Sequence, residues 1–364
     1  MDRELSYYLS FSHFLGVGPV RFRTLLDRFG NAKHAYEASY KDIRECVGDN
    51  FSRKFIEFRN RFDPVKKIEE LKAKGIHVIV QTDVAYPSLL KNISDPPICI
   101  YAKGNLKCDS PDKALPIGVV GTRRPTAYGQ FIADYFSSQL VSAGCVIVSG
   151  MAIGIDGIAH RAALREGGQT IAVLGCGVDI VYPRFHAALY DQIIRKGGLI
   201  ISEFPPGQTV RKGLFVARNR IISGLSKGIL VVEGTKDSGS LITAKFAAEQ
   251  GRDVFAPPVP LNSEMSQAPN ILLKQGAKFV TDPNDILEEY NLKAVAKKNV
   301  HILSSLSAAQ ALAYKELLQQ ALFADELALK CMVPIQEILS LLSGMEIQGI
   351  IKRNSEGKYE IMHA

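Results

Sequence analysis

Several marks of familiar protein classes are missing from this 364-residue chain. Its six cysteines, Cys46, Cys99, Cys108, Cys145, Cys176 and Cys331, form no Cys-x-x-Cys pair, which argues against a zinc site or a disulfide framework and for reduced thiols. No stretch is apolar enough to span a bilayer, and Asp2 and Glu4 stand where a signal peptide carries positive charge, so a cytoplasmic protein with no membrane association is expected. Repeats and low-complexity segments are absent. So are a Gly-x-Ser-x-Gly elbow, paired carboxylates and a metal-ligand cluster, the groups that carry hydrolytic or metal-assisted chemistry. Nor is there a basic tail. The net charge is +7, but residues 1–62 hold 11 basic and 8 acidic groups and residues 110–290 hold 18 and 16. A polyanion site must therefore be gathered by the fold from a few arginines and lysines.

What is present is a regular alternation. Hydrophobic residues make up 46% of the chain and charged residues 22%, the balance of a folded protein of two or three domains. From about residue 110 to 290, apolar β-branched runs at Ile117–Val120, Val146–Ser149, Thr170–Leu174, Leu199–Ser202, Ile229–Val232 and Asp253–Ala256 alternate with helical segments near Gly129–Ala143, Gly157–Glu166, Ala187–Lys196, Asn219–Ser226 and Ser240–Gln250. Continuous apolar strands suit a parallel sheet covered on both faces, a Rossmann-like α/β core that binds ligands at the carboxyl ends of its strands. Two further strands, Ile76–Val80 and Ile98–Ala102, read as an N-terminal extension, giving a core over 63–290. Residues 1–62 show helical spacing interrupted by Gly16-Val17-Gly18-Pro19, the pattern of a helix-hairpin-helix or SAM-like domain. Such a turn either holds a DNA phosphate or merely packs a helical bundle. Residues 291–304, with Lys297 and Lys298, read as a linker, and 305–364 as a winged helix of three helices and a hairpin.

Five stretches of the core carry chemistry. After the first strand, Gly121 allows a tight turn and Arg123 and Arg124 follow, well placed for bidentate phosphate contacts. In the second, Gly150, Gly154 and Gly157 crowd a strand-to-helix turn whose N–H groups suit an anion, while His160 reads as a packed helix residue. In the third, Gly175-Cys176-Gly177 is half of a dinucleotide fingerprint; Ile180 replaces the last glycine, so no nicotinamide cofactor is expected. The fourth holds Arg211, Lys212, Arg218 and Arg220 around Phe215, with Asn219 among them. Cations bracketing an aromatic ring are what single-strand binding uses, the phosphates meeting charge and a base stacking on the ring. The alternative is that Arg218 or Arg220 is taken up by a buried carboxylate such as Glu203 or Glu233. In the fifth, Ser240 stands where a Walker motif needs lysine, which argues against ATP; Ser238, Ser240 and Thr243 remain phosphate ligands at a helix start.

Taken together, Gly121…Arg123…Tyr128-Gly129, Ser149-Gly150…Gly154-Ile155-Asp156…Ala159-His160, Arg218-Asn219-Arg220-Ile221-Ile222 and Ser238-Gly239-Ser240…Thr243-Ala244 resemble the DNA-processing protein A (DprA/Smf) family, over the whole chain and most densely across 117–282. The resemblance implies a Rossmann-like core that binds single-stranded DNA without turnover and needs no cofactor. It further implies a homodimer through the core, and delivery of single strands to the recombinase RecA during natural transformation and homologous recombination. Its phosphate-binding positions fall on Arg123, Lys212 and Arg218-Asn219-Arg220, with Phe215 as stacking partner. The chain departs from the family pattern at Pro257-Pro258-Val259 and Ala268. Two other readings stand beside this one: a nucleotide-binding or nucleotide-processing enzyme on a similar core, and a duplex-DNA regulator acting through the winged helix. Its third helix, Ile335–Gln348, carries Glu337 and Glu346 and no basic residue, which favours protein contact over DNA; Lys352 and Arg353 of the wing keep the alternative open.

Overall fold

The computed structural model describes residues 3–106, 114–292, 306–317, 320–347, 350–354 and 357–361. Residues 1–294 form one compact unit and 295–364 another. Lys297 and Lys298 of the expected linker lie outside the described residues.

Five helices open the first unit: α1 (Arg3–His13), α2 (Pro19–Phe29), α3 (Ala32–Glu37), α4 (Tyr40–Val47) and α5 (Asp49–Arg59). Pro19 occupies the first turn of α2, where its missing N–H costs nothing, and Asn31 and Ser39 cap α3 and α4 with their side chains. The helices close on an aromatic core in which Phe11 stacks on Phe55 at 5.1 Å and Phe22 meets Phe11 at 5.1 Å. That core does not end at residue 62. Tyr8, Phe11 and Phe22 belong to the same buried cluster as Tyr101, Leu174 and Ile200 of the sheet, and Ser12 Oγ lies 2.8 Å from the Tyr101 hydroxyl. The helical bundle and the sheet therefore share one interior.

After α6 (Pro64–Ala73) come β1 (His77–Val80), α7 (Ser88–Lys91), β2 (Cys99–Gly104), β3 (Pro116–Val120), α8 (Ala127–Ser142), β4 (Val146–Ser149), α9 (Ile155–Arg165), β5 (Thr170–Val173), α10 (Ala187–Arg195), β6 (Leu199–Ser202), α11 (Lys212–Leu225), β7 (Gly228–Val231), α12 (Gly239–Glu249), β8 (Asp253–Ala256), α13 (Gln267–Lys274), β9 (Lys278–Phe279) and α14 (Pro283–Glu289). The nine strands line up as β1-β2-β6-β5-β4-β3-β7-β8-β9. β3 to β9 are parallel; β1 and β2 add an antiparallel pair at one edge. The sheet thus holds the six parallel strands expected from sequence, the two strands of the N-terminal extension as an antiparallel edge, and one further parallel strand, β9. Every residue of β4, β5, β6 and β7 is buried, which is why those strands read as unbroken apolar runs.

The order of the strands fixes where a ligand goes. From β3 the chain steps outward through β4 and β5 to β6, then returns by α11 to lay β7 on the other side of β3. Strand order reverses between β3 and β7, and the crevice at their carboxyl ends is the binding position of open α/β sheets.

The second unit holds α15 (Ala308–Leu317), α16 (Ala324–Cys331), α17 (Ile335–Ile347) and an antiparallel hairpin of β10 (Ile351–Arg353) and β11 (Tyr359–Ile361). Leu327, Ile338, Leu342, Met345 and Tyr359 form its core. Among the described residues, no single helix of the chain is long and apolar enough to cross a membrane.

Candidate functional site

A cleft of about 790 Å³ opens at the carboxyl ends of β3 and β7. Four loops converge there: 121–124 after β3, 151–156 after β4, the approach to α11, and 235–240 after β7.

The first loop is held from behind. Glu233, 1% exposed, accepts the Thr126 N–H at 2.9 Å and the Thr126 hydroxyl at 2.6 Å, and its carbonyl accepts the Thr122 N–H at 2.8 Å. Gly154 (φ +85°) presses on the same loop, so that a Cβ there would lie 2.4 Å from the Thr122 carbonyl oxygen. Clamped on both sides, the loop presents Arg123 and Arg124 outward, both exposed. Arg211 and Lys212 are exposed across the cleft, at the start of α11. None of these four cations makes an ion pair among the described residues. Between them lies an aromatic surface: the Phe215 ring sits 5.4 Å from that of Tyr182, and the Arg123 guanidinium lies over Phe215 at 5.8 Å. Gly175 makes room for it, since a Cβ there would meet Phe215 at 2.9 Å.

The floor is built differently. Arg218 is 4% exposed and its guanidinium donates to the carbonyls of Gly150, at 2.5 Å, and of Val173. It ties the ends of β4 and β5 together. Gly150 is the glycine this needs, because a Cβ there would lie 2.6 Å from the guanidinium. Buried Asp156 faces Arg218 and accepts the N–H groups of Gly150 at 3.1 Å and Ala152 at 3.3 Å. Burial pulls Arg218 down to about 10, with Asp156 opposing, so it stays charged at neutral pH. Burial pushes the Asp156 carboxyl up against the pull of Arg218.

On the far wall α12 begins with Ser238 as its N-cap, and Ser238 and Ser240 hydroxyls lie 2.8 Å apart. Thr243 follows one turn later, and the Asn219 amide reaches the Gly239 carbonyl at 3.3 Å. The helix start and these hydroxyls suit an anion.

Of the twelve residues singled out by sequence, Gly121, Arg123, Arg124, Lys212, Phe215, Arg218, Asn219, Ser238, Ser240 and Thr243 line the cleft. Gly150 and Arg220 do not. Gly150 cradles a guanidinium rather than an anion. Arg220 points the other way: it is 4% exposed and bound to Glu203 at 2.6 Å and Asp95 at 2.8 Å. The reason is helical. The expected helix begins near Asn219, but α11 starts at Lys212, and residues two apart on one helix, Arg218 and Arg220, cannot share a face. Of the open alternatives, the pairing with Glu203 holds for Arg220. His160 is fully buried with its Nδ1 2.7 Å from the Thr170 hydroxyl, as a packed residue would be. The sequence gives Tyr182 and Asp156 no site role and offers Glu233 as a partner for Arg218 or Arg220, whereas its carboxylate holds Thr126. A tyrosine before proline and two carboxylates beside glycine-rich turns were the available signals. In the second unit Lys352 pairs with Glu360 at 3.3 Å and Arg353 lies over the Tyr359 ring at 4.6 Å.

The loop that departs from the family pattern is tied to the same cleft. Pro258 accepts from the Tyr128 hydroxyl at 2.6 Å, and Gly234 exchanges backbone bonds with Met265 and Ala268 at 2.7 and 2.8 Å.

A family model described as DNA recombination-mediator protein A matches residues 77–291. The chain belongs to this family. Among its relatives, Protein Smf of Synechocystis is 40% identical over 79% of this chain and 72% of its own length. The DNA processing protein DprA of Bacillus subtilis is 45% identical over 59% and 72%. The crystal structure of DNA processing protein A from Streptococcus pneumoniae superposes with a TM-score of 0.68 at 36% identity, covering 78% of this chain and 96% of that one. A structure of the Helicobacter pylori protein, described for its single-stranded DNA binding mode, superposes with a TM-score of 0.53 at 30% identity, covering 59% and 95%.

Proposed function

We propose that this protein binds single-stranded DNA in the cleft between β3 and β7, without chemical turnover, and passes the strand to a recombinase of the RecA type in homologous recombination and natural transformation. The observation that carries the reading is the exposed, unpaired set Arg123, Arg124, Arg211 and Lys212 arranged around the Phe215–Tyr182 surface. Guanidinium and ammonium groups meet phosphates, and a ring among them stacks a base of any identity. Gly121, Asn219, Ser238, Ser240 and Thr243 supply close backbone approach and neutral hydrogen bonds. Arg218 acts from below, as a buried charge that also fixes the loops. The cleft gives little to an enzyme: among the described residues Asp156 is its one lining carboxylate, and that group is buried and committed to Arg218 and two N–H groups. The family description supports a recombination role, and the binding mode described for the Helicobacter pylori protein supports single-stranded DNA as the ligand. In this reading the protein is a cytoplasmic homodimer joined through the core, and the second unit is a winged helix that contacts protein.

The test is a salt titration of a fluorescent oligonucleotide, single-stranded and duplex, against wild type, Arg123→Ala and Lys212→Ala. Single strands should bind more tightly than duplex. Each variant should weaken binding and lower the slope of log affinity against log salt by about 0.7. Equal affinity of both variants and wild type, with the fold intact, would refute the site; a duplex preference would move the function to the terminal regions.

A further inference from the structure

α11 is a wall with two sides. Phe215, Arg218, Asn219 and Ile222 face the cleft just described, while Leu214, Ala217 and Arg220 line a second cleft of about 390 Å³. Arg211 lines both. The opposite wall of the second cleft is the turn between α1 and α2, with Leu15, Val17, Gly18 and Pro19. Phe204 and Pro205, after β6, complete its apolar sides. Its polar lining is the Arg220 ion-pair system. One oxygen of Glu203 and one of Asp95 hold the guanidinium, whereas the Arg220 Nη1 is buried and has no hydrogen-bond partner. The second oxygen of Glu203 makes no hydrogen bond among the described residues. Held in place by Arg220, Glu203 thus keeps one oxygen free as an acceptor between apolar walls. At the mouth, Leu15 is 70% exposed, and the N-cap of α2, Gly18, has no side-chain cap.

We propose that this second cleft takes one further nucleotide of a single strand lying in the first cleft, with its base inward. The base slides between Leu15, Phe204 and Leu214 and donates an edge N–H to the free oxygen of Glu203, which Arg220 holds in place. All four bases carry an N–H donor on their Watson–Crick edge, so the pocket selects a base over an abasic sugar rather than one base over another. The phosphate linking the two clefts passes Arg211, and the next phosphate meets the uncapped N–H groups at the start of α2. The helical hairpin thereby becomes part of the strand's track, which assigns a ligand to the Gly16-Val17-Gly18-Pro19 turn. This assignment rests on single-strand binding at the first cleft.

The experiment measures affinity of the full chain for fluorescent oligothymidylates of increasing length. Wild type should show a step of about tenfold once the oligonucleotide reaches past Arg211, the size expected for stacking one base. Leu15→Asp changes an exposed side chain, so its melting temperature should match wild type. It should keep the affinity for short oligonucleotides and lose the step. Replacing the nucleotide that produces the step with an abasic one should abolish it in wild type. A step that survives Leu15→Asp overturns the site, and one that survives the abasic substitution overturns the base-inward assignment. Arg123→Ala should weaken binding at every length; if it weakens none, the first cleft is not the strand's site and this extension falls with it.

Discussion

The rim and the floor of the core cleft are both basic, yet they are opposites in build. On the rim, Arg123, Arg124, Arg211 and Lys212 are exposed and make no ion pairs among the described residues. In the floor, Arg218 is 4% exposed, spends its donors on the Gly150 and Val173 carbonyls and faces a buried carboxylate. Only six positions separate Lys212 from Arg218, the first buried residue of α11. A rim cation stays hydrated until it meets a phosphate, and its absence leaves no buried group unsatisfied. A floor cation is part of the fold, and removing it strands the groups around it. Counting positive residues in a stretch therefore overstates the number that meet a ligand; burial decides which they are.

The sharpest way to break the comparison is to remove one cation of each kind and measure stability. Arg218→Ala leaves Asp156 buried without its counter-charge and two carbonyls without donors. The loss should be about 3–5 kcal/mol in denaturant unfolding. Arg123→Ala, by contrast, should leave stability within about 0.5 kcal/mol of wild type. If the two variants unfold at the same denaturant concentration, the distinction between rim and floor is wrong.

How much of this was legible follows from the same contrast. The strands were plain because β4, β5, β6 and β7 are buried on both faces and need apolar residues throughout. β4, β6 and β8 fall on the expected residues, Val146–Ser149, Leu199–Ser202 and Asp253–Ala256. β9 was missed because two residues, Lys278 and Phe279, carry no period. The start of α11 was missed for a related reason. Arg211 is an N-cap with no side-chain hydrogen bond, and the first turn holds Lys212 and Gly213, so neither a cap nor an apolar stripe announces it. With the helix begun at Asn219, nothing revealed that Arg218 and Arg220 diverge. The glycines were legible as close approaches, but what approaches was not: at Gly150 it is a guanidinium, at Gly154 the backbone of the arginine loop. Such partners come from other strands, and only the strand order brings them together.

The floor also excludes charge behind Arg218, and pH sharpens that point. His160 is fully buried, and burial, with positive neighbours including Arg218, pulls it from 6.5 to about 3. In the unfolded chain it takes up a proton below about 6.5, while in the folded protein it stays neutral until about 3. Across that window the unfolded state binds more protons, so stability is full above about pH 6.5 and falls as pH falls. The contribution of one such group is at most about 1.4 kcal/mol per pH unit. His160→Gln, which retains a polar partner for Thr170, should flatten the stability profile between pH 6 and 4 by up to this amount. Parallel profiles for variant and wild type would show that protonating this position costs nothing.

The smallest expected effect tests the rim itself, by separating its charge from its ring. Phe215 touches Tyr182 at 5.4 Å, carries the Arg123 guanidinium at 5.8 Å and rests on Gly175. Phe215→Leu keeps an apolar group over Gly175 but removes the π-face on which a base stacks. Stacking one base on an aromatic ring contributes about 1–3 kcal/mol by alanine substitution. Leucine retains part of the apolar contact, so a loss near the lower end, about 1 kcal/mol in binding free energy, is expected. The salt dependence should not move, because no phosphate contact is lost. That combination, weaker binding at an unchanged salt slope, is the converse of the Arg123→Ala result. Were Phe215→Leu to lower the salt slope as well, the ring would be acting by holding Arg123 in place, and the base would have to stack on Tyr182 alone.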